Sequence, residues 1–160
     1  MADQSELNRL VDVVRELRSD HGCPWDREQT HTSLKRYCIE EAAEVISGVN
    51  ILDKTGNPDN LREELGDLLL QVVLHAQIAE EEGLFTIEDV ARTISDKMVR
   101  RHPHVFSGEN LTTDEEIHNK WEEIKHQEKQ GKEWMDDYLP GAFEEAVSLI
   151  DKARERKGMK

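Results

Sequence analysis

The sequence predicts an all-α fold, a helical bundle. Three observations carry that expectation. Apolar residues recur at steps of three and four along nearly the whole chain, no stretch of four to eight residues alternates with a period of two, and capping pairs and Gly or Pro stops divide the periodic segments. For 160 residues a single domain spanning 1–160 is expected, with a core at about residues 5–130 and a C-terminal helical extension at about 131–160. Nothing repeats internally, and no low-complexity tract or long linker interrupts the chain.

The first helix is expected over residues 5–20, where Leu7, Leu10, Val11, Val14 and Leu17 form one stripe before Gly22 and Pro24 stop it. A loop follows, in which Trp25 serves as an anchor. A second helix is expected over residues 33–52, ended by the turn-rich stretch 53–58. A third runs over about 60–82, with Asn60 and Glu63 at capping-box spacing. Its segment 68–79 is apolar almost all round, as in a central buried helix, with His75 as a hydrogen-bonded core residue. Thr86 and Asp89 resemble the cap of a fourth helix, whose stripe of Ile87, Val90, Ala91, Ile94 and Met98 ends before His102 and Pro103. Thr113 and Glu116 open a polar fifth helix carrying Ile117, Trp121 and Ile124. The last helix, residues 141–156, carries Phe143, Ala146, Val147, Ile150 and Ala153.

The charge balance is acidic, with 35 Asp plus Glu against 21 Lys plus Arg and a formal net charge of −14. That balance argues against binding a nucleic-acid polymer over a broad surface, which needs a surplus of cations. The opening residues lack the positive start and apolar core of a signal peptide, and no segment reaches the length of a membrane span. Cys23 and Cys38 form no CxxC pair and are too few for a disulfide framework, so a reducing cytoplasm is the expected compartment.

Most acidic residues in such a chain are solvated, so the informative ones lie on apolar faces. On the second helix the stripe Leu34, Cys38, Glu41, Val45, Val49, Leu52 places Glu41 within the buried line, with Glu44 one turn on. On the third helix Glu64 and Asp67 repeat the i, i+3 spacing beside Leu61, Leu65 and Leu68. Four carboxylates converging on an interior must be protonated, paired or neutralised by a cation. A cluster of oxygen donors suits hard Mg²⁺. The competing reading is that all four border the core and reach outward.

These residues carry a family resemblance. Glu40, Glu41 and Glu44 followed by Glu64 and Asp67 have the EExxE…ExxD form of the MazG-type nucleoside triphosphate pyrophosphohydrolases. Residues 21–26 (His-Gly-Cys-Pro-Trp-Asp), 29–31, 63–73, 75–79 and 100–106 (Arg-Arg-His-Pro-His-Val-Phe) also resemble MazG segments, in MazG order. Trp121 to Lys125 is similar to the family's downstream Trp-xxx-Lys element. The resemblance covers about residues 7–130. The chain departs from the pattern in having room for one MazG domain where many members carry two, in Arg36 where a proline is expected, and in residues 130–160, which do not follow the usual ending.

The resemblance implies Mg²⁺-dependent hydrolysis of a (deoxy)nucleoside triphosphate to the monophosphate and pyrophosphate, with Mn²⁺ as a substitute ion. It implies Glu41, Glu44, Glu64 and Asp67 as metal ligands, Glu41 also being a candidate catalytic group. Glu40 stays open between water-orienting group, general base and surface neighbour. A triphosphate also needs cations, and Lys97, Arg100 and Arg101 form a basic cluster at a helix end, where such residues are also placed favourably by the helix dipole. Trp121 and Lys125, four apart, could stack a base and reach a phosphate, although Ile117 and Ile124 make core packing the alternative for Trp121. A homodimer or higher homo-oligomer, in which a second subunit walls the site, is likewise implied by the resemblance.

Three other readings compete. A related all-α pyrophosphohydrolase would act on dUTP or phosphoribosyl-ATP. A di-iron oxidase would need Glu-x-x-His pairs facing a bundle interior, and Glu28/His31, Glu115/His118 and Glu123/His126 lie on no strongly apolar helix. A non-enzymatic acidic interaction module would leave the carboxylates as solvated faces.

Overall fold

The computed structural model describes residues 5–159. The sequence expectation about a signal peptide rests partly on residues 1–4, which lie outside the described range. Eight α-helices and one 3-10 helix make up the described chain, and no strand occurs among the described residues. The fold is all-α. No helix among those described is long and apolar enough to cross a membrane. The chain divides into two compact units, one formed by Met1–Ile87 with Glu145–Lys160 and the other by Glu88–Glu144.

The first unit begins with α1 (Glu6–Leu17), capped by the Ser5 hydroxyl, which accepts from the Asn8 amide at 3.2 Å. This helix ends three residues before the expected boundary, because the chain folds back and the Cys23 amide donates to the Leu17 carbonyl at 2.7 Å. Arg18 then leaves the helical path. Its side chain, 6% exposed, grips Glu81 with two hydrogen bonds of 2.9 and 2.7 Å and also donates to the Asp26 and Gln29 carbonyls. The same contact holds the Glu81 carboxyl below its ordinary range.

Where a loop was expected, a short helix α2 (Pro24–Glu28) forms. Pro24 at its first position supplies the helical φ in advance. Five residues are too few for an apolar period to reveal. Trp25 sits in it half exposed, edge-on to the Tyr37 ring at 6.0 Å.

α3 (His31–Thr55) is longer than its expected range at both ends. A reciprocal cap between Thr30 and Ser33 starts it earlier, and Gly56, at φ 72°, ends it in the left-handed conformation that glycine adopts at least cost. α4 (Asp59–Glu81) runs back beside it. The expected Asn60–Glu63 capping box does not form. Asn57 instead accepts from the Asp59 amide at 2.8 Å, leaving Asn60 inside the first turn, where its amide donates to Glu64 at 2.7 Å.

The core of this unit is Val14, Leu34, Val73, Leu74 and Ile78, with Leu10, Val11, Tyr37, Leu70 and Ile87 packed around it. The central burial expected of α4 holds for its second half, where Gln71, Val73, Leu74 and Ala76–Ala79 are buried. Its first half differs, since Leu65 and Leu69 remain exposed, and Val72 is exposed on the outer side of the second half. The α3 stripe likewise passes from buried Leu34 through half-buried Cys38, Glu41 and Val45 to exposed Val49. A helix of 25 residues outruns the 12-residue α1 that shares the core with it. Glu41 therefore stands at the margin of the core rather than within it.

At Gly48, buried on α3, the two long helices come closest. A Cβ placed there would lie 2.8 Å from the Leu61 Cα of α4.

The second unit contains α5 (Ile87–Arg101), the single turn α6 (Pro103–Phe106) and α7 (Asp114–Lys129). The expected capping box of α7 forms, with Thr113 accepting from the Glu116 amide at 3.2 Å and Glu116 accepting from the Thr113 amide at 3.0 Å. A 3-10 helix (Glu133–Tyr138), not anticipated, leads into α8 (Leu139–Arg156), which starts two residues before its expected boundary and belongs to the first unit from Glu145 on. The apolar stripe of α8 is mostly exposed. Phe143 and Val147 are exposed, and only Ala153 is fully buried.

Candidate metal centre

Antiparallel α3 and α4 bring three carboxylates together. Glu41, Glu64 and Asp67 each offer an oxygen, and all these oxygens lie within 4.8 Å of one another. Their convergence follows from periodicity. Glu64 and Asp67 share one face of α4 at i, i+3, and Glu41 lies one turn from Cys38 on the face of α3 that meets it. The Glu41 carboxyl is pushed above its ordinary range, first by burial and then by repulsion from Asp67 and Glu64, against which Lys157 acts in the opposite direction. The group is thus short of positive charge, and its donors are all oxygen. That is the donor set of a hard divalent cation.

The other two acidic residues singled out from the sequence stand apart from this group. Glu44 forms an ion pair with Lys157, and Glu40 accepts from Arg156 at 2.7 Å. Arg156 ends α8 and Lys157 follows it, more than one hundred residues away along the chain. Sequence reasoning passed over them, although the dense basic run of Arg154, Arg156 and Lys157 was visible. A cavity of about 530 Å³ adjoins them, walled by apolar residues of α3 and α8 and edged by Glu40, Glu44 and Glu64. Glu64 belongs both to the cavity and to the three-carboxylate group.

Behind Glu41 lies a second polar cluster. His31 and His75 stack at 5.0 Å with their Nδ1 atoms 2.7 Å apart, and the Cys38 thiol lies 3.4 Å from the His75 Nε2. One imidazole must donate and the other accept. Burial, and then His31, holds His75 below its ordinary value, and burial pushes the Cys38 thiol up. The sequence expectation of a hydrogen-bonded core His75 matches this arrangement.

In the second unit, Arg100 and Arg101 both grip Glu128, with Nε to carboxylate distances of 2.7 and 3.0 Å. The Arg101 guanidinium lies 5.0 Å over the Trp121 ring, and the His102 ring meets the same indole edge-on at 5.0 Å. Lys125 donates to Glu122 at 3.2 Å, and half-buried Lys97 is one turn from Arg101 on α5. A recess of about 290 Å³ beside Trp121 is lined by Asp114, Ile117, His118 and Glu122.

Comparison with known proteins bears on these helices directly. Residues 29–106 match the MazG nucleotide pyrophosphohydrolase domain. The chain is 52% identical over 123 residues to the nucleoside triphosphate pyrophosphohydrolase/pyrophosphatase MazG of Thermotoga maritima, covering 77% of this chain and 45% of that protein. It is 42% identical over 159 residues to the nucleoside triphosphate pyrophosphohydrolase of Mycobacterium tuberculosis, covering 96% and 46% respectively. With the uncharacterized protein YabN of Bacillus subtilis it shares 51% over 124 residues, 24% of that protein's length. The chain thus spans less than half of each of these relatives. The matched segment contains α3 and α4 with all three clustered carboxylates, and on that basis residues 29–106 are a domain of the MazG nucleotide pyrophosphohydrolase family.

Proposed function

We propose that this chain is a Mg²⁺-dependent nucleoside triphosphate pyrophosphohydrolase that converts a (deoxy)nucleoside triphosphate to the monophosphate and pyrophosphate. The observation that carries the reading is the approach of Glu41, Glu64 and Asp67 to within 4.8 Å across two helices. The names of the relatives support the reaction class. Glu41, Glu64 and Asp67 would hold the cation, with Glu44 joining them once released from Lys157. A bound Mg²⁺ or Mn²⁺ would neutralise phosphate charge and acidify water. Water adds to the α-phosphorus as the bond to the bridging oxygen of the β-phosphate breaks, and pyrophosphate leaves. Glu40, outside the three-carboxylate group and paired with Arg156, would orient that water or accept its proton.

Substrate contacts by Lys97, Arg100, Arg101, Trp121 and Lys125 belong to the same proposal and rest on the family resemblance. So does a homodimer or higher homo-oligomer, whereas the cytoplasmic setting rests on the scarcity of cysteine. The exposed Ile46, Val49, Leu65, Leu69 and Val72 of α3 and α4 support self-association.

The test is pyrophosphate release from a panel of ribo- and deoxyribonucleoside triphosphates, including dUTP, with phosphoribosyl-ATP alongside, in Mg²⁺ and in EDTA. Mg²⁺-dependent appearance of monophosphate plus pyrophosphate is the expected result, and the ranking gives base and sugar preference. Release from phosphoribosyl-ATP alone would replace the substrate, and no release from any compound would overturn the proposal.

A further inference from the structure

Arg156, the last residue of α8, and Lys157, which follows it, put two cations on two carboxylates of the EExxE segment of α3, Arg156 on Glu40 and Lys157 on Glu44. The cavity beside them has apolar walls from Ile39, Ala43, Ile51, Ile150 and Ala153, and its edge carries Glu40, Glu44 and Glu64. Arg154 and Lys157 are the cations among its described lining residues. Arg154 already faces Asp151 at 3.8 Å. A triphosphate entering such a cavity meets three carboxylates and must bring or find positive charge. Lys157 is suited to supply it. Its ammonium is a compact charge on a flexible stem, and its side chain is 41% exposed, so the pair with Glu44 is of the weak, exchangeable kind.

We infer that Lys157 is a phosphate-binding residue that changes partner. Without substrate it rests on Glu44, and when a divalent cation takes Glu44, the released ammonium binds a phosphate oxygen of the nucleotide in the α3–α8 cavity. This inference rests on the nucleoside triphosphate reading above. It makes the substrate-free enzyme a competitor of its own cation, since one lysine occupies a carboxylate assigned to the metal. No bond is made or broken, and the positive charge moves by a rotation of the side chain.

The experiment uses the full chain and three proteins: wild type, Lys157→Ala, and Lys152→Ala. Lys152 is an exposed α8 lysine outside the cavity, so its variant controls for net charge. Calorimetric titration with Mn²⁺ alone is followed by titration with an α,β-methylene nucleoside triphosphate in saturating Mg²⁺. For Lys157→Ala, Mn²⁺ is expected to bind equally well or up to about fivefold tighter, because a weak competing ion pair is gone. The analogue is expected to bind about tenfold more weakly, the loss of one charge-assisted hydrogen bond to phosphate. Lys152→Ala is expected to match wild type in both titrations.

Unchanged analogue affinity in Lys157→Ala overturns the inference, as does an equal loss in Lys152→Ala or a parallel loss of Mn²⁺ affinity. Turnover by the wild type with an unaffected Lys157→Ala rejects this inference alone. A wild type that neither binds the analogue nor hydrolyses a triphosphate rejects the proposed function with it.

Discussion

Replacing Glu41 by Gln should raise stability in EDTA and remove most of the response to Mg²⁺, so that variant and wild type exchange order when the cation is added. The Glu41 carboxylate oxygen has two like-charged neighbours within 4.8 Å. At that spacing each repulsion is about 0.9 kcal/mol in a water-like dielectric, and roughly half of it survives at physiological ionic strength, giving about 1 kcal/mol for the two. A neutral amide of the same shape escapes that cost. Calorimetry or thermal circular dichroism in EDTA should show a melting temperature higher by about 2–4 °C.

With Mg²⁺ at one hundred times its Kd, the wild type gains about 2.7 kcal/mol by mass action, while a variant stripped of one ligand gains little. The pH dependence has a defined sign. The folded chain holds the Glu41 proton more tightly than the unfolded chain, so the penalty is felt above the folded pKa and fades as pH falls through it. The gap in EDTA should therefore close on acidification, and also in 1 M salt. A variant that melts below wild type in EDTA, or that responds to Mg²⁺ as wild type does, would refute the reasoning.

Gly48→Ala should destabilise the fold by about 1–2 kcal/mol in denaturant titration: about 1 kcal/mol of helix propensity is outweighed by about 2–3 kcal/mol of overpacking against backbone atoms of Leu61 that cannot rotate away. A variant as stable as wild type would reject that close approach. His75, neutral beside His31, Cys38 and, through His31, Glu82 at 3.9 Å, contributes stability that is full above the ordinary histidine value of 6.5 and is lost as pH falls toward its depressed folded value. Stability measured across that window should fall less steeply in His75→Gln, and identical slopes would discard the assignment.

What was legible in the sequence is what repeats within a few residues. The three- and four-residue steps on α3 and α4 pointed to Glu41, Glu64 and Asp67, and the Thr113–Glu116 cap is a local exchange of two hydrogen bonds. The Asn60 cap failed for a reason that is also local, since Asn57 reaches the helix start first. The partner of Glu44 had no such signal. Lys157 follows it by more than one hundred residues, and only the return of α8 joins them. The exposed Val49 shows the complementary limit, because a periodic stripe records which residues share a face and leaves open how far along the helix a partner extends.

The first unit is discontinuous, with Glu88–Glu144 intervening before Glu145–Lys160 completes it. During synthesis at about 5–20 residues per second, α3 and α4 emerge several seconds before the end of α8 does. For that interval Glu40 and Glu44 lack the partners seen in the finished fold, and the cavity lacks the wall that α8 supplies. The acidic segment at the middle of α3 is therefore translated long before its counter-charges, and it is neutralised only when Arg156 and Lys157 arrive at the end of synthesis.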